Sequence, residues 1–405
     1  MIEWCVLADD FTGAMDAGLQ FARSGKRTLY GLSNATMECD AIIVSSNSRH
    51  MTSKDAAILS SKLAESMKPR CMYFYKKIDS TLRGNVAVEL ESIMNTLGSD
   101  NAVLAPAYPA QERTMKGGIL YVDGIPVTQT ESSRDPQFPV TDSNVVRLIE
   151  STSALSAELI PLKTIRSDPK TLLNAILTAS ATGARVTICD AETESDLANI
   201  ALAISQSGQN ILASGSAGLA TALAKLGDSK EVESNHYHPA ENIVIVAGSF
   251  TLTTRLQVAT IASEYGLTPF TPTLEDYRTP DLAIESALQS LEKTGLWLAY
   301  PGHSRKLITP DTVQELEEWI VATTKYLCQH APNPGLLLTG GETANLVMKA
   351  VRPSAIKIVS PVEPGIPGGV TLNSDPDNIP VVTKAGGFGS HKALINGVKW
   401  LQSRH

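Results

Sequence analysis

Residues 1–25 read MIEWCVLADDFTGAMDAGLQFARSG. Residues 3–8 form a mostly apolar run of strand length, and such a run without polar alternation fits a strand covered on both faces. Asp9 and Asp10 follow, and residues 13–24 then carry a helical pattern that stops at Gly25, a residue suited to the left-handed turn after a helix. The unit is a strand, a polar turn and a helix. It recurs downstream, with strands expected at 41–45, 72–75, 102–104, 186–189 and 211–213 and helices at 53–67, 86–96 and 169–179. Alternation of this kind indicates α/β layers built on a mainly parallel sheet. One insertion breaks it: residues 119–128, ILYVDGIPVT, place an Asp-Gly turn between two β-rich runs, the pattern of a hairpin. A loop rich in Pro, Ser and Asp follows, through Asp135 and Pro139.

Residues 227–242, GDSKEVESNHYHPAEN, have few aliphatics and read as a linker. Strands resume at 243–247, 296–300, 336–339, 355–359 and 381–384. The 405 residues therefore divide into domains 1–230 and 240–405, each expected to be a mainly parallel sheet flanked by helices. With 43% hydrophobic and 19% charged residues the composition is that of a globular protein. The net charge is −8 and no basic stripe is present, which argues against nucleic acid as a partner. An anionic ligand must then be captured by local positive features. Cys5, Cys39, Cys71, Cys189 and Cys328 have neither zinc nor CxxC spacing and read as reduced thiols of a cytoplasmic protein. The N-terminus lacks a basic segment leading into a long apolar one, so no signal peptide is expected. No apolar run reaches the ~20 residues of a membrane span. The seven histidines are scattered and form no metal motif.

Two groups of turns carry the candidate chemistry. In the second half, Gly248-Ser249, then Gly340-Gly341-Glu342-Thr343, then Gly386, Gly387 and Gly389 each stand between a strand and a following helix. Glycine permits positive φ and close approach of a ligand to the main chain, and a helix N-terminus offers unpaired N–H groups. Tight βα packing alone explains any one of these turns; three in one domain favour a phosphate or nucleotide cradle. No GxxxxGK followed by Ser or Thr occurs, and 214–220, SGSAGLA, is not a GxGxxG fingerprint. In the first half, strand ends deliver Asp9 and Asp10, then Ser45 to Arg49, then YKKIDSTLRGN over 75–85. Lys and Arg suit a carboxylate, while Asp, Ser and Asn suit hydroxyls. Of the aspartate pair, one is expected to cap the helix and the other to face the ligand as a general base, since neighbours at a strand end do not both point into one site.

These segments together resemble the four-carbon acid sugar kinase family. The resemblance rests on LADDFTGAMDAG, NSR, YKKIDSTLRGN, LAPAYPAQERT, GILYVDGIPVTQTE, SGSAGLA, VAGSF with a later Gln, LTGGETA, EPGIP and TKAGGFG, in that order from residue 7 to residue 389. It implies a substrate-binding N-terminal domain, a nucleotide-binding C-terminal domain and an active site in the cleft between them. Substrate contacts carry over to Asp10, Arg49, Lys77, Ile78, Asp79, Ser80 and Arg83, and ATP contacts to Ser249, Gly340, Gly341, Glu342, Thr343 and Gly386. One departure is visible: Gln111-Glu112 stand where the family pattern has a small residue and glycine. The expected activity is transfer of a phosphoryl group from ATP, with Mg²⁺, to the 4-hydroxyl of D-threonate, with D-erythronate or a 3-oxo-tetronate as alternatives and Asp10 as candidate base. The partners are the sugar acid and ATP, and a homodimer is open to such a chain. A nicotinamide-dependent dehydrogenase and a non-catalytic sugar-acid sensor are the rival readings.

Overall fold

The computed structural model describes residues 1–31, 38–135, 138–227, 238–300 and 310–403. The strands are β1 (Ile2–Ala8), β2 (Thr28–Gly31), β3 (Ala41–Ser45), β4 (Cys71–Lys77), β5 (Asn101–Ala105), β6 (Arg113–Lys116), β7 (Ile119–Val122), β8 (Ile125–Pro126) and β9 (Ala157–Ile160). After them come β10 (Val186–Cys189), β11 (Ile211–Gly215), β12 (Asn242–Ala247), β13 (Leu296–Ala299), β14 (Pro334–Thr339), β15 (Ala355–Glu363), β16 (Ile366–Leu372) and β17 (Pro380–Lys384). The chain forms two compact units, one of residues 1–26 with 38–231 and one of residues 27–37 with 232–405. The core of the linker expected at 227–242 lies outside the described residues. Among the described residues no helix is long and apolar enough to cross a membrane.

In the first unit the strand order is β3-β1-β4-β11-β5-β10-β9, and each of these neighbours runs parallel. Such strands are covered by helices on both faces, which is why β1 and β5 are almost wholly buried. The chain leaves β1 to one side for β3 and to the other for β4. That reversal of strand order is where open α/β sheets bind ligands, at the carboxyl ends of the strands. The hairpin is present as β6-β7-β8. Its turn residues Asp123 (φ 52°) and Gly124 (φ 75°) are both left-handed, as a type I′ turn requires. Glu112 takes φ 59°, which accounts for the glycine in the family pattern: the backbone there is one that side chains disfavour.

Two features of the second unit are not readable in the sequence. Its sheet is parallel only through β13-β12-β14-β17; β16, β15 and β2 continue it antiparallel. β16 is hard to read because IPGGVTL carries two glycines in mid-strand, an unfavourable pattern. Both are needed. A Cβ on Gly368 would lie 2.3 Å from the Trp400 ring, and one on Gly369 would lie 2.6 Å from the Lys357 carbonyl oxygen. The other is β2, which lies far before residues 240–405 in the chain but pairs with β15, Tyr30 opposite Ile356.

Candidate active site

In the first unit, register brings three strand ends level: Ala8 lies opposite Ser45 of β3 and Lys77 of β4. The turns that leave these strands meet around Arg49. Its Nε donates to Asp9 Oδ2 at 2.7 Å, and its Nη2 donates to Asp9 Oδ1 at 3.0 Å and Asp10 Oδ1 at 2.8 Å. Its Nη1 stands 3.7 Å from Asp79 Oδ1 and makes no hydrogen bond among the described residues. Gly84 (φ 89°) lets this cluster lie against the backbone, since a Cβ there would meet Arg49 Cγ at 3.2 Å. Asn85 holds the turn bearing Arg49 by donating to the carbonyls of Ser48 and Met51.

Asp79 is the second focus. It accepts from Arg83 Nε at 2.9 Å and Nη2 at 3.0 Å, from the Thr81 and Arg83 N–H groups, and from the Thr81 hydroxyl. Burial pushes its carboxyl up, but Arg83 and Arg49 outweigh that and hold it well below the usual range. The Arg83 side chain is 35% exposed, and its Nη1 stands 3.6 Å from Asp135. Lys77 is buried beside Gly13, where a Cβ would come within 3.0 Å of its Nζ; that ammonium donates to the Ile78 carbonyl at 2.8 Å. Ile78 therefore contributes its backbone, its side chain lying in the core. Ser80 is buried and its hydroxyl has no hydrogen bond among the described residues.

The aspartate pair behaves differently from the expectation that only one faces the site. Asp10 caps the helix Phe11–Arg23, accepting from Gly13 N at 3.0 Å and the Thr12 hydroxyl at 2.8 Å. Yet both Asp9 and Asp10 reach Arg49, because the extended alternation of β1 ends at Ala8. Burial pushes the Asp9 carboxyl up; Arg49, Lys76 and Lys77 more than offset this, so it stays below the ordinary range.

Three buried groups escape sequence reading. Lys76 and Glu89 form an ion pair at 2.5 Å with both side chains 1% exposed, and the Ser48 hydroxyl donates to Glu89 at 2.6 Å. The alternation of β4 separates Lys76 from Lys77, but adjacent lysines give no hint of which one is buried against a carboxylate. Asp16 lies on the covered side of the helix Phe11–Arg23, with its carboxyl pushed up to about 6 by burial.

In the second unit, Ala247 is level with Thr339, and Thr339 with Lys384, so the three glycine turns leave adjacent strands at one height. They interlock. A Cβ on Gly248 would fall 1.9 Å from Thr343 Oγ1, and one on Gly386 2.0 Å from Ser249 Oγ. Gly340 takes φ 102° and starts the helix Gly341–Val351 without a side-chain cap. The left-handed glycine is thus Gly340, Gly341 being helical. Thr343 is buried and Glu342 is exposed on the first turn. Ser249, Gly340, Gly341, Glu342, Thr343 and Gly386 are brought together. Thr251 caps the helix Leu252–Tyr265, and its hydroxyl and that of Thr254 donate to the Gly386 carbonyl at 2.9 and 3.0 Å.

Two domain models account for this layout: the sugar-binding N-terminal domain matches residues 4–223 and the nucleotide-binding C-terminal domain residues 244–394. The chain belongs to the four-carbon acid sugar kinase family. It is 31% identical to a D-threonate kinase of Salmonella typhimurium over 99% of this chain and 98% of that one. It is 27% identical to a D-erythronate kinase of Heliobacterium modesticaldum over 98% of this chain and 97% of that one. A solved structure from Salmonella typhimurium superposes with a TM-score of 0.84 at 22% identity, covering 98% of this chain and 99% of that one; at that identity it speaks to the fold alone.

Proposed function

We propose that this chain is an ATP-dependent kinase that phosphorylates the 4-hydroxyl of a four-carbon acid sugar, with D-threonate as the substrate. The observation that carries the reading is the pair Arg49 and Arg83, whose Nη1 groups make no hydrogen bond among the described residues and stand only at ion-pair distance, 3.7 Å from Asp79 and 3.6 Å from Asp135. Both arginines are locked by Asp9, Asp10 and Asp79 through their other nitrogens. Their Nη1 groups are thereby pre-aimed and need no reordering to take a carboxylate. A net-negative protein needs such a fixed cationic point to hold an acid. Lys77, with two N–H bonds beyond its contact to Ile78, and the Ser80 hydroxyl supply polar partners for the remaining substrate oxygens.

Asp10 is the proposed base. Among the described residues its Oδ2 accepts only from Thr12 and keeps a lone pair for the acceptor hydroxyl's proton, while Arg49 and the Gly13 N–H fix its orientation. The glycine turns of the second unit are the proposed phosphate site, their backbone N–H groups facing the nucleotide. Interlock of Gly248 with Thr343 and of Gly386 with Ser249 draws the three turns together, and the N–H groups of Gly386, Gly387 and Gly389, which donate no hydrogen bond among the described residues, support this. Among the described residues no group of three His, Cys, Asp or Glu could hold a metal ion. Mg²⁺, which neutralises phosphate charge in such reactions, would arrive with the nucleotide. Positioning and charge stabilisation carry most of the rate in phosphoryl transfer. D-erythronate is the second reading, favoured by the 27% identical relative.

The test is coupled ADP release with ATP–Mg²⁺ against D-threonate, D-erythronate, their L forms and the 3-oxo acids. Turnover highest with D-threonate is expected. ADP release with none of them removes the reading and leaves the dehydrogenase and the sensor.

A further inference from the structure

A lysine directly before a glycine run looks like a phosphate ligand. Lys384 is not built as one. Its side chain is 1% exposed, and its ammonium donates to three carbonyls of the turn that follows, Ala385 at 2.8 Å, Gly386 at 3.0 Å and Phe388 at 3.1 Å. An ammonium has three N–H bonds, so none is left over. Gln257, buried on the neighbouring helix, uses its amide on the same turn, reaching the carbonyls of Phe388 at 3.1 Å, Gly389 at 3.3 Å and Ser390 at 2.8 Å. Thr251 and Thr254 add their hydroxyls to Gly386.

A planar trans peptide points its C=O and the next residue's N–H in opposite directions. With the carbonyls of Ala385, Gly386 and Phe388 drawn inward, the N–H groups of Gly386, Gly387 and Gly389 are turned outward. None of the three donates a hydrogen bond among the described residues, and Gly387 and Gly389 are exposed. We propose that Lys384 and Gln257 are positioning residues that hold the carbonyls of the turn at residues 385–390 away from the nucleotide and aim its N–H groups at a phosphate. This rests on the reading of the glycine turns as the nucleotide site. It adds that the charge-bearing residue next to the phosphate acts through backbone and never touches the ligand.

Burial pushes Lys384 down to about 7, with Glu363 pulling it back up. Glu363 is itself held by the Ser390 N–H and hydroxyl and by Asn396, while the helix Leu252–Tyr265 and its cap contribute the neutral Thr254, Gln257 and Thr251 at the turn. Loss of a proton from Lys384 removes one of its three donors, so ADP binding weakens as pH rises from 7 to 9.

The experiment is equilibrium titration of wild type, Lys384→Met and Gln257→Leu with ADP and, separately, with D-threonate, between pH 7 and 9. The expected result is a loss of roughly 10–100-fold in ADP affinity for Lys384→Met, a smaller loss for Gln257→Leu, and D-threonate affinity within about twofold of wild type for both. The fall in ADP affinity with pH should disappear in Lys384→Met. Folded variants with wild-type ADP affinity, equal losses for both ligands, or parallel pH profiles overturn the proposal. Should Lys384→Met fail to fold, Gln257→Leu carries the same comparison. A wild-type chain that binds no ADP defeats the kinase reading itself, a separate outcome.

Discussion

Arg83→Ala separates binding from folding at the proposed acid site. Arg83 is 35% exposed, against 9% for Arg49. Removing it takes two hydrogen bonds from Asp79, but the Thr81 N–H and hydroxyl and the backbone N–H of residue 83 remain, with Arg49 Nη1 nearby. The carboxylate stays satisfied, so the stability cost should be only about 1 kcal/mol. The binding cost is larger. A substrate carboxylate that loses one charge-assisted bond loses about 1.5–3 kcal/mol, or roughly 10–150-fold in Kd. The assay is calorimetric titration of the variant with D-threonate and with ADP, beside a urea melt. The expected pattern is weak acid binding, unchanged ADP binding and a small shift in midpoint. Arg49→Ala is a poor substitute, because it strands the buried Asp9 carboxylate at about 3–5 kcal/mol. Unchanged D-threonate affinity in Arg83→Ala, or equal losses for both ligands, would refute the assignment.

Asp10→Asn should fold and bind both ligands, since Asn still accepts from Gly13 N as a cap, yet turn over about 10²–10⁴-fold more slowly; steady-state kinetics should place the loss in kcat with little change in KM. Asp9→Asn should instead lose stability, because Arg49 is then left short of a charged partner; near-normal kcat in Asp10→Asn with a loss confined to Asp9→Asn would move the base to Asp9. Gly340→Val should abolish ADP binding while D-threonate binding persists, as a branched residue cannot hold φ 102°, and unchanged ADP affinity would take this turn out of the nucleotide site. Asp16 has a folded-state carboxyl near 6 and an unfolded one near 4. Folding thus binds a proton between those values, and stability falls as pH rises through them by on the order of 3 kcal/mol. Asp16→Asn should therefore be more stable than wild type at pH 8 and equal to it near pH 4 in urea melts; a constant difference across pH would contradict this.

Much of the fold was legible because parallel strands are buried on both faces and appear as short apolar runs between turns. Ala41–Ser45 and Val186–Cys189 fall where the sequence places them. β16 did not, because its glycines answer to the Trp400 ring and the Lys357 carbonyl, distant features that no local pattern encodes. β2 did not, because its partner β15 lies more than 300 residues away in the chain. At the site, the residue types were readable but their partners were not. Arg49 could be marked as a cation, whereas its division between Asp9, Asp10 and Asp79 depends on register between β1, β3 and β4. Lys384 is the sharpest case: its place beside the glycines suggests a ligand, and its burial makes it a brace.

The proposed reaction moves a phosphoryl group from ATP to the terminal hydroxyl of D-threonate. Phosphorus NMR of the reaction mixture tests it directly. Carbon 4 bears two hydrogens, so the expected result is a new phosphomonoester signal split into a triplet by the methylene pair, growing in step with ADP. A doublet, from an ester on carbon 2 or 3, would contradict the proposed regiochemistry. Inorganic phosphate alone, or no consumption of ATP, would contradict the kinase assignment.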